Sequence, residues 1–442
     1  MRIRPITLCF GLAVMPGFAV TAHATYTFTL LQDAGGMQDS EAVAINSMGE
    51  SVGWSQTSSG FDAVLWSVTG TTTVLADLGD EGDSAALAIN ALGESVGFSA
   101  TPTGDDAVLW SSSGTPTQLG KGGGSGSAAV AINASGESVG YLKTANGYDA
   151  ILWHSKGAAQ LLGDPGQQHF AEALAINGSG HSAGYACTAV TAGNCAAAEA
   201  VQWAPGGKAT VLENVGGGSD SVALAVNGKA AFSVGYSDTA SGGVDAVRWS
   251  PIGLPTVLQG LKNSTVSEAV AENDHGESIG YSDTAKGDDA ILWGSKGSIA
   301  AVLKDPGGQG KEFALALNDS GKSVGYADIA GGGTEAVLWQ PSGKATNLGA
   351  LLGSDWTNTK AVGINDFGDI VGYGDYNNGT ISGTYGFLLT PSAGAEVSAA
   401  PGPMEAAPEL STWAMLVAGF AGLGVVGYRS ERKRQARRAG LA

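Results

Sequence analysis

Residues 129–153 read AVAINASGESVGYLKTANGYDAILW, and variants of this segment recur along most of the chain, so the fold can be predicted from it. Its first half, A-x-A-I-N-x-x-G-x-x-V-G-Y, returns in eight versions, each with one anchoring asparagine: Asn46, Asn90, Asn133, Asn177, Asn227, Asn273, Asn318 and Asn365. Neighbouring asparagines lie 43 to 50 residues apart. A period of this length is typical of repeat proteins built from one supersecondary unit.

A second anchor follows each asparagine and ends in tryptophan in seven copies: Trp66, Trp110, Trp153, Trp203, Trp249, Trp293 and Trp339. The eighth copy reads GFLL at 386–389. Each of the first seven repeats contains four short apolar runs separated by Gly-, Asn- and Ser-rich turns, which indicates strands rather than helices. Four antiparallel strands in about 45 residues have the size of a β-propeller blade. The chain is therefore predicted to be all-β.

The two ends of the repeat region predict that the ring closes. YTFTLL at 26–31 resembles a fourth strand without its first three, and the eighth repeat supplies three strands without a fourth. Pairing these fragments would complete a blade and remove the open sheet edges. We predict an eight-bladed β-propeller over residues 25–392, with a β-solenoid or a seven-bladed ring as the alternatives.

The motif GHSAG at 180–184 fits G-x-S-x-G, the elbow that carries the nucleophile of α/β-hydrolases. The same motif occurs six times, and each copy lies between two predicted strands. A nucleophile elbow is a single site followed by a helix, so we interpret these motifs as hairpin turns.

The N-terminus has the order of a secretory signal peptide, predicted to span residues 1–24. Arg2 and Arg4 precede an apolar run, and Ala22 and Ala24 form an A-x-A site, with cleavage expected after Ala24.

The C-terminus predicts a membrane segment. Residues 393–408 are rich in Ala, Pro, Gly and Ser and are interpreted as a flexible linker. Residues 411–428 contain no charge and can span a bilayer as one helix, while six basic residues follow between 429 and 438. The positive-inside rule places that basic tail in the cytoplasm and the repeats outside.

Residues 409–442, with the preceding proline, resemble the PEP-CTERM sorting signal of Gram-negative bacteria, in which Pro-Glu-Pro precedes an apolar helix and an Arg-rich end. Here the motif reads Pro408-Glu409-Leu410, without the second proline. The resemblance implies an exosortase-like processing enzyme as a partner. It also implies transient anchoring in the inner membrane through residues 411–428, followed by release to the cell surface or medium.

The repeat itself resembles the HAF family of bacterial extracellular repeats, over roughly residues 26–390. Family members often carry His-Ala-Phe before Leu-Trp, where this chain has Asp/Glu-Ala-Val/Ile. The resemblance implies a secreted repeat protein and supplies no catalytic residues.

Charge excludes one class of partner. The chain has a net charge of −19, and residues 25–408 hold 14 of the 22 basic and 39 of the 41 acidic residues. A surface this acidic repels nucleic acid, which is therefore not an expected partner.

Candidate binding residues lie in the variable loops. An acidic residue opens most third strands, a second acid precedes it in several loops, and in three of these loops the two acids are candidate metal ligands. These acids form the pairs Asp238 with Asp245, Asp283 with Asp289, and Asp328 with Glu335. Such pairs suit Ca²⁺, which prefers oxygen ligands. Alternatively, each carboxylate accepts backbone hydrogen bonds in its own turn, so that the protein needs no cofactor.

Cys187 and Cys195 lie in the one second-to-third-strand loop that is about six residues longer than its counterparts, and they are the only cysteines between residues 25 and 408. An exported chain with two such cysteines is predicted to form a disulfide.

No residue pattern in the repeats carries catalytic chemistry, so we predict a non-enzymatic binding or structural module of the cell surface or exopolysaccharide matrix. Its expected partner is a polysaccharide or another surface protein. The alternative is a secreted glycan-acting enzyme that uses loop carboxylates.

Overall fold

A computed structural model of the chain describes residues 26–79, 83–120, 122–191, 194–304, 306–308 and 311–392. Within these residues, 32 strands form eight sheets of four. The first strands of neighbouring sheets contact one another around the full circle, including those of the first and last repeats. The fold is an eight-bladed β-propeller, as predicted, and the solenoid and seven-bladed alternatives are wrong.

The A-x-A-I-N segments form the innermost strands, and the S-V-G-Y segments pair beside them. The innermost strands are β2 (Ser40–Ile45), β6 (Ser84–Ile89), β10 (Gly126–Ile132), β14 (Ala171–Ile176), β18 (Gly217–Val226), β22 (Ser267–Glu272), β26 (Glu312–Leu317) and β30 (Trp356–Ile364). The second strands are β3 (Ser51–Thr57), β7 (Ser95–Thr101), β11 (Ser138–Thr144), β15 (Ser182–Thr191), β19 (Ser233–Thr239), β23 (Ser278–Asp283), β27 (Ser323–Asp328) and β31 (Ile370–Asn377).

The third strands end at the repeat tryptophan in seven blades, and the fourth strands are short and outermost. The third strands are β4 (Gly60–Trp66), β8 (Gly104–Trp110), β12 (Gly147–Trp153), β16 (Asn194–Trp203), β20 (Val244–Trp249), β24 (Asp288–Trp293), β28 (Thr334–Trp339) and β32 (Ser382–Pro391). The fourth strands are β5 (Thr72–Val74), β9 (Pro116–Gln118), β13 (Ala159–Leu161), β17 (Ala209–Val211), β21 (Pro255–Val257), β25 (Ile299–Val302), β29 (Ala345–Asn347) and β1 (Tyr26–Leu30).

The ring closes through the N-terminal strand. β1 pairs antiparallel with β32, with Tyr26 opposite Pro391 and Leu30 opposite Phe387. The last blade therefore takes three strands from the end of the repeat region and one from its beginning, which confirms the prediction from the two chain fragments. This pairing covers the edge of β32 that would otherwise be exposed.

Small side chains lie where the innermost strands pack against neighbouring strands. In every blade the register shifts between the first and third residues of the A-x-A segment, as between Ala42 and Ala44. Such a bulge bends a strand and increases its twist. Ala42 is fully buried, so a larger side chain there would meet the neighbouring strands.

The repeat tryptophans hold adjacent blades together. All seven are fully buried, and each indole Nε1–H donates to a backbone oxygen that follows the fourth strand of the preceding blade, at 2.7–2.8 Å. Trp66 thus bonds to Gln32 across the closing junction. Full burial and this recurring contact make them core residues rather than a carbohydrate-stacking surface.

The G-x-S-x-G motifs are turns. Gly180 has φ +80°, a left-handed conformation that suits glycine, and Ser182 is buried as the first residue of β15. A strand follows this serine instead of a helix, so it does not form a nucleophile elbow.

Several predictions fall outside the described residues. These are the signal peptide with Ala22 and Ala24, the linker, the Pro408-Glu409-Leu410 motif and the membrane segment at 411–428. Within the described part of the chain, the one helix is α1 (Gly349–Leu352), and no helix there is long and apolar enough to cross a membrane.

Candidate functional site on the loop face

The antiparallel order gives the propeller two unlike faces. The turns between strands one and two and between strands three and four lie on one face, which we call the turn face. The remaining connections, between strands two and three and between blades, lie on the opposite face, which we call the loop face. Variable loops on a rigid scaffold are the usual location of recognition, so the loop face is the candidate binding side.

A ring of asparagines fixes the turn face. The Nδ2 amide of Asn46 donates to the backbone oxygen of Asn90 at 3.1 Å, and the same bond continues from blade to blade. Asn365 returns it to Asn46 at 3.0 Å. Each asparagine also accepts backbone N–H bonds within its own turn, as Asn46 Oδ1 does from Met48 and Glu50.

The ring has one irregular step, between blades five and six. There Asn227 donates to Glu272 Oε1 at 2.7 Å instead of to the backbone oxygen of Asn273. Glu272 is fully buried, and Arg248 binds it through two hydrogen bonds of 2.8 and 2.9 Å. In the other repeats an aliphatic residue stands at the position of Glu272, and leucine or glutamine at that of Arg248. The two exceptional residues therefore compensate each other.

The strand register does not bring the predicted calcium pairs together. Asp245 lies opposite Ser237, while Asp238 lies opposite Val244. Adjacent residues of a strand point to opposite faces of the sheet, so the carboxylates of Asp238 and Asp245 diverge. The same offset separates Asp283 from Asp289 and Asp328 from Glu335. No group of three metal-ligating side chains converges within the described ranges.

Two of these acids accept hydrogen bonds from backbone at, or just before, the start of the innermost strand of their own blade. Asp238 Oδ1 accepts the N–H groups of Ser219 and Asp220 at 2.8 and 2.7 Å. Burial alone would raise the pKa of Asp283, but hydrogen bonds from residues 264–266 hold that pKa below its usual value. These contacts match the turn-stabilising alternative; calcium binding stays a prediction without a converging ligand set.

Cys187 and Cys195 form the predicted disulfide, with their Cα atoms 5.6 Å apart. The bond links β15 to β16, which are each ten residues long and extend farther toward the loop face than most of their counterparts. Both cysteines are buried, and they pack in an apolar cluster with Tyr185 and Tyr236. The disulfide therefore stabilises this taller part of the ring.

The loop-face ends of the inner strands carry a ring of side chains that we call the collar. Each blade contributes the aromatic residue of its second strand: Trp54, Phe98, Tyr141, Tyr185, Tyr236, Tyr281, Tyr326 and Tyr373. Opposite each aromatic, on the innermost strand, lies a variable residue: Glu41, Ala85, Ala128, Glu172, Val222, Glu268, Phe313 and Lys360.

Contacts within the collar continue from one blade to the next. The Tyr281 ring meets Phe313 of the following blade at 5.7 Å, and Phe313 stacks on Tyr326 at 5.2 Å. Lys360 Nζ then lies 5.0 Å above the Tyr326 ring and 6.0 Å from the Tyr373 ring. Blades six, seven and eight thus form a continuous aromatic arc with one cation inside it.

Acidic residues occupy other collar positions. Burial raises the pKa of Glu172 to about 7, against a smaller lowering effect of a hydrogen bond with Tyr185. Burial also raises the pKa of Glu41 to about 7; Asp39 adds to the rise and Lys360 opposes it. The carboxylates at these positions therefore change charge near neutral pH, and the collar becomes more anionic as the pH increases.

A cleft of about 490 Å³ lies outside the collar between blades seven and eight. Its walls are the glycine loop at 329–334 and the segment 349–359, with Glu335 and Trp356 among the lining residues. The buried Trp356 Nε1 has no hydrogen-bond partner, while Glu335 contacts the side-chain amide of Asn347. Among the predicted acids, Glu335 is the one that lines this cleft.

No family model matches the chain, and no curated protein matches it in sequence. Similar solved structures include a prolyl endopeptidase (12% identity, 80% of this chain, 55% of that chain, TM-score 0.47) and a streptogramin B lyase (8%, 83%, 98%, 0.42). Another is TolB from Acinetobacter baumannii, with 13% identity over 66% of this chain and 77% of that chain, and a TM-score of 0.35. The chain thus spans about half the length of the prolyl endopeptidase. Similarity at these levels concerns the fold, not the activity or the ligand.

Sequence reasoning did not identify the collar. The sequence shows an aromatic residue at the last position of the S-V-G-Y motif in every repeat, but it does not show which residue of the adjacent blade that aromatic contacts. The available signal was an aromatic residue that recurs at one repeat position, together with an inner-strand position that varies in charge.

Proposed function

We propose that the protein is an exported, non-enzymatic binding module of the cell surface or exopolysaccharide matrix, and that the collar contacts its ligand. The observation that carries this proposal is the aromatic arc from Tyr281 to Tyr373, with Lys360 held between two tyrosine rings. Aromatic faces bind sugar rings by apolar contact, and flanking charges and hydroxyls fix their orientation. A polysaccharide is the proposed ligand class.

Export and processing belong to the same proposal. The signal at residues 1–24 would direct the chain out of the cytoplasm. An exosortase-like enzyme would then process the HAF-like protein at its PEP-CTERM-like tail after transient anchoring in the inner membrane. Intact-mass measurement of the protein from its host tests this step. Loss of mass near Ala24 and near Pro408, with the protein in the surface or medium fraction, is the expected result; an inner-membrane protein that retains residues 411–442 would contradict it.

Binding is tested with the host's exopolysaccharide and a panel of neutral glycans. The double variant Tyr326→Ala, Tyr373→Ala removes both rings beside Lys360 and is expected to weaken binding about tenfold or more. Phe367→Ala is the matched control, since Phe367 is an exposed aromatic on the turn face, opposite the collar. Equal binding by both variants and the unmodified chain would exclude the collar as the contact surface.

The same samples separate binding from catalysis. We expect bound glycan to be recovered at its original length. Release of shorter products by the unmodified chain, lost on substitution of a single loop-face carboxylate, would instead establish a glycan-acting enzyme.

A further inference from the structure

Exposed apolar side chains gather on the turn face around the point where the ring closes. At the residue before the turn glycine, blades eight, one and two carry Phe367, Met48 and Leu92, which are 49%, 64% and 63% exposed. In four other blades this position holds a polar residue: Ser135, Ser179, His275 and Ser320. We call Phe367, Met48 and Leu92 the apolar arc.

The three turns of the apolar arc are direct neighbours. Asn365 bonds to the backbone oxygen of Asn46, and Asn46 bonds to that of Asn90. Val68 is half exposed and lies beside the turn of Met48: its Cγ1 is 3.0 Å from the point where a β-carbon would stand on Gly49. The arc therefore places three exposed apolar side chains, with Val68 beside them, on adjacent turns of a rigid part of the scaffold.

The described chain also leaves the propeller beside this arc. β32 runs toward the turn face and ends at Pro391, opposite Tyr26 of β1. The Pro391 ring lies 3.3 Å from the position of a β-carbon on Gly368, in the turn that carries Phe367. In the sequence, only 18 residues (393–410) separate Ser392 from the uncharged stretch 411–428.

We propose that the apolar arc contacts the lipid surface in which the chain is anchored, so that the turn face lies on the membrane and the loop face points away from it. This inference depends on the membrane anchoring in the proposed function. A flexible chain of 18 residues has an end-to-end distance of about 23 Å, which gives a tethered surface an effective concentration in the millimolar range. At such an effective concentration, a small apolar patch is sufficient to hold the turn face against the lipid surface.

Charge selects the kind of lipid. Each turn of the arc contains an acid bonded to its own asparagine, as Glu50 Oε2 is to Asn46 Nδ2 at 3.0 Å and Asp369 Oδ2 is to Asn365 Nδ2 at 2.9 Å. These carboxylates would repel anionic headgroups. The arc therefore fits a zwitterionic surface, into which Phe, Met and Leu side chains insert by apolar burial.

Two methionines provide an internal comparison for the test. Met48 belongs to the arc, whereas Met37, 50% exposed, lies in the connection between β1 and β2 on the loop face. The full chain is reconstituted in phosphatidylcholine vesicles, and oxidation of both methionines by hydroxyl radicals is followed by mass spectrometry. We expect the Met48 rate to fall roughly fivefold or more relative to Met37 on addition of vesicles, because oxidation follows exposure.

The variant Leu92→Ser, Phe367→Ser retains the Met48 reporter and is expected to restore its oxidation in vesicles. Val74→Ser, Val257→Ser is the matched control, since both valines are half exposed on outer strands. If the chain floats with the vesicles but the rate of Met48 oxidation relative to Met37 does not change, the docking is overturned and the anchoring remains. A chain that does not float would overturn both. Protection that appears without vesicles and increases with protein concentration would indicate contact between copies instead and would also overturn the proposal.

Discussion

The side-chain amide of Asn365, on the last blade, donates to the backbone oxygen of Asn46 on the first blade, at 3.0 Å. This bond joins residues that are 319 positions apart and completes the ring of asparagines on the turn face. Asn365 also accepts the N–H of Asp369, so one buried side chain shapes its turn and connects two blades.

Asn365→Ala is expected to lower the free energy of unfolding by roughly 2–3 kcal/mol, because it removes these bonds and leaves a buried backbone oxygen without its donor. Urea unfolding followed by tryptophan fluorescence measures the change. Asn146→Ala, in an exposed turn on the loop face, is the control and should have little effect. A similar small effect at Asn365 would show that the strands close the ring without the asparagine contact.

The tryptophan contact between blades gives a second prediction. Trp153→Phe removes the bond from Nε1 to the Gly120 oxygen and leaves a cavity, so a loss of roughly 2–4 kcal/mol of unfolding free energy is expected. Trp54→Phe should cost less than about 1 kcal/mol, since Trp54 is half-buried and the equivalent Phe98 already has that side chain. Equal losses in the two variants would contradict the distinction between core and collar aromatics.

The repeats made most of the fold predictable from the sequence, but the contacts between repeats could not be predicted. The repeat period, the turn glycines and the isolated strand at 26–31 were sufficient to predict a closed ring of eight blades. The sequence also showed that Arg248 and Glu272 depart from their repeat positions, but not that they meet, because that depends on spacing between blades five and six. For the acid pairs, proximity in sequence suggested convergence, whereas the antiparallel register placed their side chains on opposite faces.

The Arg248–Glu272 pair gives a third prediction. Arg248→Leu alone leaves the carboxylate of Glu272 buried without its partner, and about 3–5 kcal/mol of unfolding free energy should be lost. The double variant Arg248→Leu, Glu272→Ile introduces aliphatic residues typical of the other repeats and is expected to be more stable than Arg248→Leu. Urea unfolding of both single variants and the double variant measures the coupling. Additive losses would mean that the two side chains do not compensate each other.

Glu172 gives a prediction that depends on pH. Burial raises its pKa from 4.5 to about 7, so between these values the folded protein binds a proton that the unfolded chain has released. The stabilising effect of this proton is therefore complete below about pH 4.5 and is lost as the pH increases through 7, which corresponds to about 3 kcal/mol. Glu172→Gln keeps a neutral side chain at every pH. It should match the unmodified protein near pH 4.5 and be the more stable of the two at pH 8.

Unfolding free energies of both proteins at pH 4.5, 6, 7 and 8 test this expectation, and the difference between them isolates Glu172 from Glu41 and other titrating groups. Glu213→Gln, at an exposed carboxylate, is the control for the substitution itself. If the Glu172→Gln profile remains parallel to that of the unmodified protein, Glu172 is ionised throughout this range, and water or a cation must reach its carboxylate between Tyr141 and Tyr185. In that case the collar would be open to solvent at blade four, and this carboxylate would be available to a ligand.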